Sequence, residues 1–326
     1  MQYAVIKWHF QTAVRFGTGK GQLADSSYRM HSDTLFSALC QEALLLGGQE
    51  ALQRLCTMCR NGQLLLSDTM PFLGEQYFLP KPVLHVERTV QESSSVLKKA
   101  YKKLSDIPAE LYETYLQSLT GRASFDVEAV NQLGKNFALS DNRVMVRVTG
   151  YDTSQPFYVN SWTFAENAGL YVIVAYTDEA DLHWVAQLME HLGLHGVGGK
   201  KNSGLGKFEP EDVIFLQEAY SDGLEALQKL LQQEQGDWYM TLSAALPRAE
   251  ELQQALDGAT YQVIKRSGFV DSASYANVQQ KHRTLYLLAA GSCFRSRFDG
   301  DIYDVADGGS HPVYRYAKPL FLGVKL

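Results

Sequence analysis

The chain has 326 residues, 45% of them hydrophobic and 20% charged, with a net charge of −6. At roughly 150 residues per domain this apolar content supports two packed cores and excludes a low-complexity or disordered chain. The negative balance excludes a protein that coats nucleic acid with its whole surface, but it leaves room for one basic groove, because phosphate contact depends on local charge placement. The opening MQYAVIKWHF lacks a basic stretch followed by an apolar one, and no run of about 18 apolar residues occurs, so neither a signal peptide nor a membrane span is expected. Cys40, Cys56, Cys59 and Cys293 then read as reduced thiols of a cytoplasmic protein.

In chain order, Tyr3 to His9 reads as a strand, followed by the glycine-bearing loop Phe16 to Gly21. Asp33 to Leu46 predicts a helix with Phe36, Leu39, Cys40, Ala43 and Leu44 on one face, capped by Ser32 or Asp33 and stopped by Gly47-Gly48. Leu64 to Leu66 predicts a short buried strand, with a turn at Met70-Pro71. From about Pro80 to Asp141 the pattern changes. Ser93-Ser94-Ser95, the basic run Lys98 to Lys103 and a helical piece from Ala109 to Leu119 read as an insertion projecting from the first domain. Val144 to Val148 and Phe157 to Phe164 return to strand patterning, and Leu170 to Tyr176 is a buried strand. Thr177-Asp178 caps a helix that places Leu182, Val185, Met189 and Leu192 on one face; a glycine-rich loop and a strand near Asp212 to Leu216 follow. This strand, helix, two strands, helix, strand order is that of a ferredoxin-like fold. After a polar helical connector, Ser221 to Gln235, a strand-rich unit begins. Its strand candidates are Trp238 to Leu242, Tyr261 to Lys265, Thr284 to Ala290 and Pro319 to Lys325, with a short helix from Glu250 to Leu256.

The strongest chemical signal is Gly196 to Lys207, with five glycines, three lysines and no acid among twelve residues. Glycine permits positive φ and close backbone approach, successive amides form a nest for a phosphate, and Lys200, Lys201 and Lys207 supply charge. A mobile helix-to-strand turn fits the composition equally well. The Walker pattern fails: Gly193 and Gly198 are five apart, but Gly199 stands where lysine is required. The dinucleotide pattern fails as well. His31-Ser32-Asp33 cannot form a catalytic triad, which needs convergence from separated positions. Cys56-x-x-Cys59 lacks a second ligand pair and falls, with Leu52 and Leu55, at helical core spacing. Asp299, Asp301, Asp304 and Asp307 lack the EF-hand glutamate and read as a solvated loop, so no metal or other cofactor is expected.

Phe16-Gly17-Thr18-Gly19, His31 to Leu39 and the glycine loop resemble segments of the RAMP proteins of type III-A CRISPR complexes. Lys265-Arg266-Ser267-Gly268-Phe269-Val270 and Gly291-Ser292-Cys293-Phe294 resemble motifs of the fourth Csm-series subunit in particular. The resemblance implies an α+β protein of two ferredoxin-like, RRM-related domains with a thumb-like insertion in the first. The boundaries are then 1–218 for the first domain, with the insertion at about 80–141 and the glycine loop at 196–207, then a connector at 219–236 and a second domain at 237–326. It also implies a non-catalytic subunit acting in antiviral defence. Such a subunit grips the 5′ handle of the CRISPR RNA and contacts the large polymerase/cyclase-like subunit and the backbone RAMP subunit. RNA contact is expected from His31, Ser32, Gly198, Gly199, Lys200, Lys201, Asn202, Ser203, Lys207 and Arg266. The alternative is a metal-independent endoribonuclease that processes repeat RNA with His31 as acid or base.

Overall fold

A computed structural model describes residues 1–19, 22–85, 95–148, 154–233, 235–272 and 274–326, so the expectations at Lys20, Gly21, Ser93 and Ser94 lie outside the described residues. Strand β1 (Gln2–Phe10) leads through the small pair β2 (Phe16–Gly17) and β3 (Ser26–Ser27) into helix α1 (Ser32–Arg60). Next come β4 (Leu64–Leu66), β5 (Met70–Leu73), β6 (Gln76–Pro80), α2 (Ser95–Lys103), β7 (Asp106–Pro108), α3 (Tyr112–Leu119) and α4 (Val127–Leu133). A long hairpin, β8 (Ala138–Val148) and β9 (Ser154–Phe164), precedes β10 (Ala168–Tyr176), α5 (Glu179–His195), β11 (Phe208–Pro210) and β12 (Ile214–Phe215). The remainder is α6 (Asp222–Gln232), β13 (Trp238–Thr241), α7 (Leu252–Leu256), β14 (Val263–Arg266), β15 (Leu285–Leu288), β16 (Cys293–Phe294), β17 (Ile302–Asp304), β18 (Tyr314–Tyr316) and β19 (Phe321–Val324). No helix among the described residues is long and apolar enough to cross a membrane.

The fold mixes helices with antiparallel sheets. The main sheet runs β11-β1-β10-β5-β6-β7, with β12 also on β1 and β4 also on β10. β10 lies at its centre and is buried along its whole length, which is why its sequence is continuously apolar rather than alternating. Leu170, Val172, Val174 and Tyr176 pack with the residues of α1 and α5 on one face. Tyr171, Ile173 and Ala175 join a second core on the other face, which contains residues of α3, α6, β13 and β19. The segment expected as a polar connector is therefore α6, which buries Leu224, Leu227, Leu230 and Leu231 in that second core.

Three local expectations change. Met70-Pro71 belongs to β5 rather than to a turn, with Pro71 opposite Leu170. β4 and β5 both pair with β10, and the chain leaves the ladder only at Ser67-Asp68-Thr69, where the Ser67 hydroxyl accepts from the Ile173 amide at 2.9 Å. Gly47 (φ −143°) and Gly48 (φ 63°) kink α1 rather than end it, and the helix resumes through the buried Leu52, Leu55, Cys56 and Cys59. The inserted segment does not project along its length, because Tyr112, Tyr115, Leu116, Phe125 and Val130 bury it in the second core. The element that stands out is the β8–β9 hairpin, with Leu139, Val144, Val146, Val148 and Tyr158 exposed.

Candidate nucleic-acid interface

The glycine loop is held in one shape by its backbone. The Val197 amide donates to Gly206 O (2.9 Å), Gly199 to Arg15 O (2.8 Å) and Gly206 to Ala13 O (2.9 Å). These bonds fasten the loop to the segment after β1 and set aside the mobile-turn reading. At Gly206 (φ 81°) a Cβ would stand 2.0 Å from Val197 O, so no other residue fits. Lys200 is the one non-glycine residue with positive φ (67°) among those described, and its ammonium sits 5.8 Å from the centre of the Phe157 ring in β9. Residues Lys201 to Ser203 form a 3₁₀ turn with Asn202 and Ser203 exposed, and Lys207 is exposed at its far end. The Lys201 ammonium reaches across to the second half of the chain, 3.0 Å from Asp271 Oδ2 and 3.4 Å from Gln41 Oε1.

The start of α1 is built differently from the sequence reading. Its N-cap is His31, with no side-chain cap, so neither Ser32 nor Asp33 serves that role. The cap comes from Asp68, on the interruption between β4 and β5. Its Oδ1 accepts from the Ser32 amide (2.8 Å) and the Ala244 amide (2.9 Å), and its Oδ2 from His31 Nδ1 (2.6 Å). A carboxylate here satisfies orphan amides and suits the helix dipole. Ser32 is fully buried, and its hydroxyl accepts from the Ala244 amide at 3.1 Å, so its side chain faces the interior. His31 keeps about a third of its side chain exposed (32%).

Asp33, fully buried, is the centre of a charged hub between the halves. Arg266 Nε (2.8 Å) and Arg315 Nη1 (2.9 Å) both donate to its Oδ2, and Arg266 Nη2 donates to Thr34 Oγ1 (2.6 Å). Burial opposes its charge, but the two guanidiniums outweigh that cost and hold the carboxyl below its ordinary range. Burial, then the adjacent Arg315 cation, pushes the His282 pKa down, although its bond to Arg283 O pulls the other way. Its neutral tautomer follows from the geometry: Nδ1 donates to Arg283 O (2.8 Å), and Nε2 accepts from Arg315 Nη2 (2.7 Å). Arg266 is thus tied into the fold, with 13% of its side chain exposed.

The glycine loop, the start of α1 and the β14–β18 region line one cleft of about 1170 Å³. Its lining carries Arg15, Arg29, Lys201, Arg266, Lys281 and Arg315 against the carboxylates Glu42 and Asp271, with Asp33 behind Arg266 and Arg315 and Asp106 behind Arg29, so cations still outnumber carboxylates around this groove in a chain of net charge −6. His31, Gly198, Gly199, Lys201 and Arg266 meet in this cleft, whereas Lys200, Asn202, Ser203 and Lys207 lie on the loop outside its lining and Ser32 lies beneath. Sequence reasoning missed Asp68, Arg315, His282 and Arg15, which come from distant positions. Arg15 is held by donation to Gln22 O (3.0 Å), and burial lowers its pKa.

Residues 234–324 match the model of the CRISPR Csm4 C-terminal domain. The CRISPR system Csm4 proteins of two Mycobacterium tuberculosis strains are 37% identical over 308 residues, covering 94% of this chain and 93% of theirs. The chain belongs to the Csm4 family. The Csm4 protein of Streptococcus thermophilus is 30% identical across the whole of both chains. A crystal structure of a Csm3–Csm4 subcomplex of the type III-A CRISPR–Cas interference complex aligns with a TM-score of 0.67 at 18% identity, over 99% of each chain. A Csm1–Csm4 cassette in complex with cA4 aligns at 0.63 and 19% identity, over 100% of this chain and 99% of that one. These Csm4 likenesses show the fold; the family rests on the sequence relatives.

Proposed function

We propose that this Csm4-family chain is a non-catalytic, cytoplasmic subunit of a type III-A CRISPR interference complex in antiviral defence, and that its cleft seats the 5′ handle of the CRISPR RNA. The observation that carries the reading is the basic cleft at the junction of the glycine loop and the start of α1. Single-stranded RNA is held by backbone charge and splayed bases, which such a groove can serve. Lys201 in the cleft and Lys200 and Lys207 on the loop beyond it take phosphates, the backbone at Gly198 and Gly199 lets the RNA chain come close, Asn202 and Ser203 outside the lining read base edges or the 2′ hydroxyl, and His31 offers its exposed ring edge. Ser32 and Arg266 act from within, by fixing the start of α1 and the second half. The Csm3 and Csm1 partners of the solved Csm4 proteins support a linking role between a backbone subunit and the large subunit.

We assign residues 1–218 to a first ferredoxin-like domain, on the neighbour order of β11, β1, β10 and β5 with α1 and α5 on one face. Residues 219–236 form a helical connector, and 237–326 a second domain of the same class. The β8–β9 hairpin, rather than the helices before it, takes the thumb-like role.

The test is sequencing of RNA that copurifies when the chain is expressed with its complex partners, with the salt dependence of binding measured on purified chain. A shared 5′ sequence, and a slope lowered by roughly 0.7 for each lost phosphate contact in Lys200→Ala and Lys201→Ala, are expected. Random RNA with unchanged slopes refutes the reading. The endoribonuclease alternative gains one observation, the His31–Asp68 pair, since a positioned histidine needs such a partner. Cleavage of repeat RNA that disappears in His31→Ala would select it; no cleavage by the wild type would dismiss it.

A further inference from the structure

Outside the cleft, α2 and α4 enclose a second concavity of about 470 Å³, inside the roughly 300–1,000 Å³ range of small-ligand sites. We infer that this pocket takes one nucleotide unit of single-stranded RNA, as a subsite beyond the cleft; the inference rests on reading the chain as an RNA-holding subunit. Lys99 and Lys103 line it from α2 and Lys135 from just beyond α4, against one exposed carboxylate, Glu128 of α4. Lys99 and Lys103 lie one turn apart on one helix, an arrangement of like charges that weakens the helix and that an anion would relieve. Among the described residues neither has an ion-pair partner, and α2 itself carries no acid.

The pocket also holds a feature that a bare anion site lacks. Asp106, 5% exposed, lines it, and its Oδ1 is buried without a hydrogen-bond partner among the described residues. Its Oδ2 is already engaged by Arg29, Tyr28 and Ser105. An unsatisfied buried carboxylate oxygen calls for a donor. A nucleotide supplies a phosphate for the ammonium groups and, where its binding uncovers the buried Oδ1, a ribose hydroxyl or exocyclic amine for Asp106. An acidic peptide would satisfy the lysines and set its carboxylates against Asp106. Arg29, the partner of Asp106, also lines the main cleft, so the two concavities share one ion pair as a wall.

The experiment measures binding of a labelled short single-stranded RNA to the full chain as salt is raised, for wild type, Lys99→Ala/Lys103→Ala, Lys99→Arg/Lys103→Arg and Lys201→Ala. The double alanine variant is expected to lower the slope of log K against log salt by roughly 1.4, two contacts at roughly 0.7 each, and the double arginine variant to restore it. An unchanged slope in the double alanine variant, with a reduced slope in Lys201→Ala, overturns the pocket and leaves the cleft reading standing. Unchanged slopes in both overturn the pocket and the cleft together. Displacement of the RNA by poly-glutamate from wild type, but not from the double alanine variant, with their salt slopes equal, reassigns the pocket to an acidic protein segment and overturns the inference.

Discussion

Replacing Asp33 with asparagine keeps the shape of the side chain and removes its charge. In the native chain this carboxylate is fully buried and accepts from Arg266 at 2.8 Å and Arg315 at 2.9 Å. Breaking a buried pair from one side leaves the other charges uncompensated, at a cost of about 3–5 kcal/mol. The retained amide oxygen still accepts one bond and both guanidiniums keep some solvent contact, so the lower end, about 3 kcal/mol, is expected for Asp33→Asn. At about 2–4 °C per kcal/mol for a chain of this class, the melting temperature of the purified protein should fall by roughly 6–12 °C. The pH dependence gives a second reading. The folded pKa of Asp33 is depressed, so its contribution is complete above the unfolded carboxylate value of about 3.9 and is lost only as the pH falls from there through the folded value. The gap between wild type and variant should therefore be constant from pH 7 to about pH 5 and close only at lower pH. A variant that melts within 1 °C or so of wild type, or a gap that closes near neutral pH, refutes the assignment of Asp33 as the charged link between the halves.

Gly206→Ala places a methyl group against Val197 O at a position with φ 81°, so RNA binding should collapse while the global melting temperature falls by only a few degrees, as read by anisotropy and calorimetry. Leu227→Ala empties a fully buried site in the core that both halves share, costing about 2–5 kcal/mol. Proteolysis should then find both halves loosened together. The folded pKa of His282 is depressed, so its contribution is complete above about pH 6.5 and is lost as the pH falls from there; His282→Gln should flatten the stability profile between about pH 5 and pH 7, measured by urea unfolding.

The elements that the sequence revealed are those whose pattern is local. Leu170 to Tyr176 is apolar throughout because both faces of β10 are covered, and Leu182, Val185, Met189 and Leu192 repeat because α5 covers one of them. Gly47-Gly48 marked a break, but no local signal says whether a chain ends or bends there; the buried Leu52, Leu55 and Cys59 decided it through tertiary packing. Met70-Pro71 read as a turn because proline usually does, yet its missing amide is tolerated opposite Leu170. In the site, the glycine loop was legible because positive φ and close approach demand glycine directly. The roles of Ser32 and Arg266 were not. The hydroxyl of Ser32 meets an amide 212 positions away, and Arg266 meets Asp33 across 233, separations that leave no trace in spacing. Asp68 was hidden for the same reason: its partners His31, Ser32 and Ala244 lie 36 to 176 positions away.

The packing of α6 between the two halves sets a limit on how far the cleft can change its width. Leu224, Leu227 and Leu230 share one core with β10 and with β13 and β19, so prising the halves apart would wet a continuous apolar interior. The groove therefore has a width set during folding and not on arrival of a ligand. Under the proposed function an RNA strand would meet a preformed slot, and little of its adhesion would be lost to reshaping the host.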